Sequence, residues 1–530
     1  MTAERLLINA DIRTMDLALP RSDAILLRDG KVVALGEAAK ASTAVPEDMH
    51  GRLILPGFQD AHIHLLNGGT DLIETAQLYE ATTISALQAA LAAHAAIWTG
   101  EMVWGAGWQN GFFGDETLTR SVLDAVVPDR PCLIYDGNFH NACLNSVALA
   151  RIGVAEDTPD PPNGHIVRKG GVATGMLHEE AINWATQRLP RSSADTLRAG
   201  LLAGQALANR HGITGVIDPF IQSHHARTYA AAVGDLTLRV SGAMQVTKAD
   251  TVETVTARLT ALRAKHPGPL FHLNAAKFFL DGGFENRTAA LLQPYADAKG
   301  GNADLMFEPE QIKALFVALD ALRFQIHVHC IGDAATHAAL DGFEAARAAN
   351  GVWPSLHQIA HVQLVDPADL HRFAELGVMA NMQPYWASND PIIPDDTMAM
   401  IGPKRAPMTY PFRSLIDAGA PWCISSDWAV TTLNPFAIIG TAVTREPARK
   451  RGRAAPFLPE QRLTVLEAVL GYTTGAAKAC WRDPFTGQLS PGSSADLIVL
   501  DRDIFTCDPY EIAETEVLQT LFAGQTVHQA

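Results

Sequence analysis

Between residues 56 and 427, apolar segments of strand length alternate with alanine-rich segments of helical character, such as 198–211, 309–322 and 334–349. Regular alternation of strands and helices predicts a parallel sheet, because each helix carries the chain back to start the next strand in the same direction. Eight parallel strands most naturally close into a TIM-like (β/α)8 barrel. The eight predicted strands are residues 56–64, 212–220, 236–246, 271–281, 324–331, 357–364, 378–384 and 422–427.

Both ends of the chain are rich in short strands. The pair Asp29-Gly30 lies between two apolar runs and predicts a tight β-hairpin. Because chain termini often lie close together, residues 1–54 and 485–530 are predicted to form one small β-sandwich domain. Residues 55–484 then form the barrel. The interval after the first barrel strand is too long for a βα connection, so it predicts an inserted subdomain at about residues 70–200.

The composition disfavours several kinds of partner. A formal net charge of −16 makes nucleic acid and anionic membranes poor partners. The six cysteines are scattered without a Cys-x-x-Cys pair, which argues against a zinc–thiolate site and is typical of a reducing compartment. The sequence shows no targeting segment, and no apolar run approaches the length of a membrane span. We expect a cytoplasmic protein, as a homodimer, that acts on a small molecule.

Polar side chains interrupt the apolar strands near their carboxyl ends. His62 and His64 lie at the end of the first predicted strand, and side chains two residues apart in a strand point the same way, so both imidazoles can reach one point. Burial of such groups without partners is costly, and their recurrence on five strands suggests one shared partner. A metal ion fits, because imidazole is the commonest protein ligand of zinc and similar ions. The later strands contribute Lys277, His329, His361 and Asp427.

These residues lie in motifs that resemble the amidohydrolase superfamily, in the YtcJ-like branch (amidohydrolase family 3) that includes N-substituted formamide deformylase. The similarity extends over nearly the whole chain, to Gly492-Ser493-x-Ala495-Asp496-Leu497 near the C-terminus. The other matching motifs are Pro56-Gly57-Phe58-x-Asp60-x-His62-x-His64, Lys277-x-x-x-Asp281-Gly282, Arg287-Thr288-Ala289-Ala290, His329-x-Ile331-Gly332-Asp333, His361, Met382-Gln383-Pro384 and Ser426-Asp427-Trp428.

The resemblance implies roles for the strand-end residues. His62, His64 and Asp427 would hold one metal ion, usually Zn²⁺, and His329 and His361 would hold a second where two ions bind. Lys277 would be carboxylated on Nζ and bridge them. An ammonium group has no lone pair and repels a cation, whereas a carbamate offers two anionic oxygens. The alternative is a protonated Lys277 paired with Asp281 or Asp427.

Three further groups of residues are candidates for supporting roles. His327 lies on the same face of its strand as His329, where the branch usually has a small or apolar residue, and is interpreted as a supporting or packing histidine. His140, in the predicted insertion, either orients substrate or makes a structural hydrogen bond. The aromatic residues that could contact an apolar substrate are Trp108, Trp386 and Trp428.

The predicted reaction is metal-assisted hydrolysis of a C–N bond in an amide or cyclic amide, for example an N-substituted formamide, with Asp427 as general base. A lactonase or phosphotriesterase would share a lysine-bridged site and is distinguished only by its substrates. A mononuclear deaminase of the superfamily typically has a glutamate near the fifth-strand histidine, where this chain has Gly332-Asp333. A binding protein without activity would be expected to have lost metal ligands, and here all six candidates are present.

Overall fold

The computed structural model describes residues 4–109, 112–137, 141–161, 164–284, 287–389, 395–448 and 452–530. Contacts divide the chain into two compact units. The first contains the residues up to Leu65 together with Gln205–Ala530, and the second contains Leu66–Gly204. The first unit holds the barrel and a sheet built from both ends of the chain.

Eight parallel strands form the barrel sheet, and each strand is hydrogen-bonded to its neighbours along the chain. The fold class predicted from the sequence is confirmed, since each of the eight predicted segments overlaps a barrel strand. In chain order, barrel strands 1 to 8 are Phe58–Asp60, Ile213–Ile221, Arg239–Gln245, Phe271–Phe279, Gln325–Cys330, Gln358–His361, Met379–Met382 and Trp422–Ile424.

Backbone hydrogen bonds just beyond the first and eighth strands join the two edges of the sheet. The Asp427 N–H donates to the His62 carbonyl at 2.8 Å, and the His64 N–H donates to the Trp428 carbonyl at 2.6 Å. These bonds bring the chain after strand 1 against the chain after strand 8. In a barrel this carboxyl end is where functional side chains gather.

Helices connect the barrel strands, and the predicted ones are present. Thr251 caps one of them by accepting a hydrogen bond from the Thr254 N–H, as expected for threonine at this position. Gly351 ends another with φ +76°, a conformation that glycine adopts without steric cost. The α-helices of this part of the chain are Ala194–Arg210, which crosses the boundary between the units, Ser223–Ala231, Val252–Lys265, Pro309–Ala321, Asp333–Asn350, Leu370–Leu376, Asp395–Ile401, Phe412–Asp417, Pro435–Thr444, Val465–Leu470 and Ala476–Ala479.

Strands from both ends of the chain are hydrogen-bonded into one sheet, with the helix Gly36–Lys40 beside it. Leu53–Pro56 pairs with Leu497–Leu500 and so joins the two ends. The predicted hairpin turns at Asp29 (φ 50°) and Gly30 (φ 75°). Both faces of the sheet carry buried side chains. Its strands are Arg5–Arg13, Arg21–Arg28, Lys31–Leu35, Pro46–Asp48, Leu53–Pro56, Leu497–Leu500, Val517–Phe522 and Gln525–Gln529.

The second unit follows barrel strand 1 and has its own sheet and its own apolar core. Its strands are Thr75–Gln77, Val103–Trp108, Cys132–Asp136, Asn141–Leu144, Gly164–Lys169 and Val172–Glu179. Its helices are Leu65–Glu74, which starts at the boundary, Ile84–Ile97, Arg120–Asp124, Ser146–Ile152 and Glu180–Thr186. Among the helices of the described residues, none is long and apolar enough to cross a membrane.

A buried ion pair links barrel strand 3 to the terminal sheet. The Arg239 guanidinium donates to the Asp496 carboxylate, and both side chains are almost fully buried. Asp496 also accepts hydrogen bonds from Ser494 Oγ at 2.9 Å and from the Ala523 N–H at 2.7 Å. The pair therefore gives a structural reason for the aspartate within the C-terminal motif.

We expect Asp496→Asn to lower the stability of the protein by about 3–5 kcal/mol, because it leaves the buried Arg239 cation without a counter-charge. Thermal unfolding followed by circular dichroism measures the effect. The control is Asp23→Asn, which removes one of the two carboxylate partners of Lys40 at the surface, where solvent screening makes an ion pair contribute little to stability. Equal melting temperatures for the two variants would contradict the importance of the buried pair.

Candidate metal centre

The end of barrel strand 1 and the end of barrel strand 8 bring three possible metal ligands together. The Nε2 atoms of His62 and His64 lie 3.6 and 3.4 Å from Asp427 Oδ1. One ligand atom from each residue can be chosen so that all three lie within 4.8 Å of one another. Two imidazoles and one carboxylate are a ligand set that zinc accepts, and three protein ligands leave a position open for chemistry.

The next two predicted ligands, from strands 5 and 6, lie beside this group. The ring centroids of His329 and His361 are 4.5 Å apart, and those of His62 and His361 are 5.1 Å apart. His361 has φ +79° at the end of its strand. The structure thus brings together four of the predicted histidines and Asp427.

Burial keeps the inner histidines of this cluster neutral. His62 is 1% exposed, and desolvation by burial lowers its pKa well below the usual value, with a further contribution from the nearby Lys277. Burial likewise lowers the pKa of His361, assisted by His329. A neutral imidazole retains the lone pair that a metal ion requires.

Lys277 is fully buried on strand 4, and its Nζ makes no hydrogen bond to any residue that the structure describes. Burial lowers the pKa of this amine to about 7, although the Asp427 charge opposes the shift. The Phe279 ring lies 4.8 Å from Nζ. The alternative in which Lys277 pairs with Asp281 is not seen, because that carboxylate is occupied by backbone N–H groups.

Asp281 organises the turn after strand 5. Its two oxygens accept hydrogen bonds from the N–H groups of Ile331, Gly332 and Ala290 at 2.8 to 3.1 Å. A Cβ atom at Gly332 would collide with the Ala290 carbonyl, so the close approach of these two segments requires glycine there. Through these contacts Asp281 holds the loop after strand 5 against the segment around Ala290.

Asp60 belongs to the first-strand motif, but the sequence reasoning gave it no role. Its buried carboxylate accepts hydrogen bonds at 3.1 Å from the N–H groups of Ser426 and His62. Burial raises the pKa of Asp60 to about 7, against the effect of these bonds. The side chain therefore ties strand 1 to strand 8 immediately before their metal-ligand candidates. Its spacing could have indicated a role, because residues 60, 62 and 64 are two positions apart and so lie on the same face of an extended segment.

His327 also lies at the centre, where its Nε2 is 2.9 Å from His62 Nδ1. Two buried nitrogens of the cluster, Lys277 Nζ and His327 Nδ1, lack a hydrogen-bond partner among the described residues, whereas His329 Nδ1 lies 3.4 Å from Asp281 Oδ1. Buried polar atoms are rarely left unpaired. The residues present therefore fit a site completed by a cation and by modification of the lysine.

Aromatic residues that the sequence reasoning did not select lie next to the ligands. Phe220, at the end of strand 2, has its ring 6.3 Å from that of His64, and Phe279 has its ring 5.3 Å from that of His329. The two phenylalanine rings are 6.1 Å apart. They form an apolar wall beside the polar centre.

The remaining predicted site residues have different positions. Trp428 directly follows Asp427 and is 8% exposed, and Trp386 is half-buried after strand 7. Trp108 lies in the core of the second unit, so its contact with substrate stays a prediction. His140 lies outside the described residues, and its role also stays a prediction.

The barrel and its histidine-rich centre define a class of metal-dependent enzymes, and comparison with known proteins gives the family. Residues 47–528 match the family described as "Amidohydrolase family". The chain therefore belongs to the amidohydrolase family, as the motifs predicted.

Individual relatives cover almost the whole chain. A Bacillus subtilis (strain 168) protein named YtcJ is 27% identical over 525 residues, 96% of each chain. N-substituted formamide deformylase from Arthrobacter pascens is 27% identical over 543 residues, 98% of this chain and 97% of the relative. The crystal structure of an uncharacterized metal-dependent hydrolase from Pyrococcus horikoshii OT3 superimposes with a TM-score of 0.81 at 25% identity, covering 96% of this chain and 99% of that one.

We expect Asp60→Asn to weaken the binding of zinc about 10- to 100-fold, as is typical when a group that orients metal ligands is lost. The Asp60 carboxylate now accepts hydrogen bonds from the backbone N–H groups of His62 and Ser426. In the variant, the side-chain amide would place its own N–H group against these donors. Competition with a chromophoric chelator measures the affinity.

Asp320→Asn is the matched control for this experiment. Asp320 is a buried carboxylate on the helix Pro309–Ala321, and it is hydrogen-bonded to His357, Asn350 and Trp353. Its loss should reduce stability but leave zinc affinity unchanged. If both variants lose affinity to the same extent, Asp60 has no specific role at the centre.

Proposed function

We propose that this protein is a metal-dependent hydrolase that cleaves the C–N bond of an amide or cyclic amide. The observation that carries the proposal is the convergence of His62, His64 and Asp427 within 4.8 Å at the carboxyl end of the barrel. The name of the Arthrobacter relative, N-substituted formamide deformylase, supports this bond type. An N-substituted formamide or another apolar secondary amide is the proposed substrate.

Zn²⁺ is the proposed cation, with His62, His64 and Asp427 as its ligands. A second ion would be held by His329 and His361, whose rings are 4.5 Å apart. Such a cation supplies Lewis-acid chemistry, because it lowers the pKa of water towards neutrality and polarises the carbonyl group of a substrate.

Asp427 is the proposed general base. Its Oδ1 lies beside both strand-1 histidines, so it faces the point at which water and substrate would meet. A carboxylate there can take a proton from the attacking water and return it to the departing nitrogen. This return is necessary because an unprotonated amine is a poor leaving group.

Lys277 is proposed to carry a carboxyl group on Nζ. Carbon dioxide adds to a neutral amine and a proton is released, so a pKa of about 7 leaves much of the amine reactive at neutral pH. The product is an anion with two oxygens, which removes the repulsion between an ammonium group and a cation. It also adds two oxygens to a buried amine that has no hydrogen-bond partner among the described residues.

The apolar wall of Phe220 and Phe279 supports an apolar or aryl-bearing substrate. Aromatic side chains offer large contact areas with defined geometry. Trp386 and Trp428 are proposed to contact the same substrate from strands 7 and 8. Trp108 and His140 remain proposed contributors from the rest of the chain, and a cytoplasmic homodimer remains the proposed state of the protein.

The test of function combines elemental analysis of the purified protein with a screen of N-formyl amines, N-acyl amino acids and cyclic imides. We expect zinc in the protein and turnover of at least one of these amides. Zinc without amide turnover, together with hydrolysis of lactones or phosphotriesters, would favour the alternative that shares a lysine-bridged site.

Asp427→Asn should reduce kcat on the amide found in this screen by about 10²–10⁴-fold or more, because it removes the general base. We expect zinc to remain bound through His62 and His64, as measured by elemental analysis. Asp218→Asn is the matched control, since Asp218 is a buried strand aspartate that accepts a hydrogen bond from Tyr229. Hydrolysis at the wild-type rate by Asp427→Asn would remove this residue from the mechanism.

Lys277→Ala should lose metal and activity, and short carboxylic acids such as acetate or propionate should restore part of both. The reason is that an external carboxylate can occupy the space of the missing carbamate and supply its oxygens. Native mass spectrometry of the wild-type protein should show the added mass of one carbon dioxide. An active, metal-loaded protein with an unmodified lysine would contradict the proposal.

A further inference from the structure

Two buried imidazoles meet edge-on at the centre of the barrel. His327 is fully buried, His62 is 1% exposed, and their rings are inclined at 61° with centroids 4.8 Å apart. His327 Nε2 lies 2.9 Å from His62 Nδ1, a normal hydrogen-bond distance. A pair of neutral imidazoles can form this bond in only one direction at a time, because one nitrogen must donate and the other must accept.

The direction of the bond decides whether His62 can bind a cation. His62 Nε2 is the atom that faces Asp427, at 3.6 Å, so this nitrogen must keep its lone pair if it is to be a ligand. The single proton of neutral His62 then lies on Nδ1 and is donated to His327 Nε2. In the opposite direction, His327 donates to Nδ1 and the proton of His62 blocks Nε2.

Because neutral His327 also has a single ring proton, the direction of the bond determines which of its nitrogens carries it. When its Nε2 accepts from His62, its own proton lies on Nδ1, which has no hydrogen-bond partner among the described residues. Neither direction satisfies every nitrogen of the pair. Without a cation, the Asp427 carboxylate favours a proton on the His62 Nε2 that faces it, whereas a cation at Nε2 would select the opposite direction.

We infer that His327 is a positioning residue, which accepts the Nδ1 proton of His62 and so holds the His62 Nε2 lone pair towards the cation. The inference rests on the metal centre proposed above. A metal-bound histidine usually donates its second nitrogen to a carboxylate or a carbonyl, and here an imidazole takes that place. Strand pairing sets His327 in register with Lys277, which keeps its ring inside the barrel.

The test compares two substitutions in the full-length protein. In His327→Gln the side-chain amide oxygen can reach the position of His Nε2 and accept the same hydrogen bond. His327→Leu fills the space without an acceptor. Affinities for Zn²⁺ and Co²⁺ are measured by competition with a chromophoric chelator, and the visible spectrum of bound Co²⁺ reports the geometry of its ligands.

We expect His327→Leu to bind both ions about 10- to 100-fold more weakly and to change the Co²⁺ spectrum, whereas His327→Gln stays close to wild type. His357→Leu is the matched control, because His357 is a buried histidine that bonds Asp320 and the Ile326 N–H away from the centre. It should reduce stability and leave metal affinity unchanged.

Wild-type affinity in folded His327→Leu would overturn the inference, and so would equal weakening in the leucine and glutamine variants, which would indicate packing alone. If His327→Leu does not fold, the glutamine variant decides, since loss of affinity there would contradict the role of the acceptor. A wild-type protein that binds neither ion would overturn the proposed metal centre itself, which separates that failure from a failure of His327.

Discussion

The contact between the chain after strand 1 and the chain after strand 8 is the constraint on which the site depends. Two backbone hydrogen bonds, Asp427 N–H to His62 and His64 N–H to Trp428, close the sheet at this point. The Asp60 carboxylate reinforces the closure through Ser426. Because three of the four bonded residues are ligand candidates, closing the barrel also assembles the centre.

Without a cation, the polar groups buried at this closed end lower the stability of the folded protein. Five imidazoles, one lysine and several carboxylates lie together in a region from which water is largely excluded. Burial disfavours each charged form, and Lys277 and His327 each retain a nitrogen without a partner among the described residues. A divalent cation together with a carbamate on Lys277 would neutralise the charges and give these buried groups partners. Binding of the metal should therefore stabilise the fold as well as activate the enzyme.

Much of the barrel could be predicted from the sequence, because βα alternation and polar residues at strand ends are local patterns. Asp60 was missed because its role depends on Ser426, which is 366 residues away in the chain. Phe220 and Phe279 were missed because a phenylalanine that ends a strand looks the same whether it packs in a core or faces a site. For Trp108 the sequence left both readings open, since an aromatic residue in an insertion can belong to that unit's own core.

The position of Phe279 connects the chemistry of the centre with the choice of substrate. Its ring lies 4.8 Å from Lys277 Nζ and 5.3 Å from the ring of His329. The ring is part of the surroundings that bury the amine, and burial lowers the pKa of Lys277 so that the neutral, reactive form is present. The same ring offers apolar surface on the side where Phe220 continues the wall. A preference for apolar substrates and a modified lysine are therefore expected to occur together in this barrel, because one aromatic surface favours both.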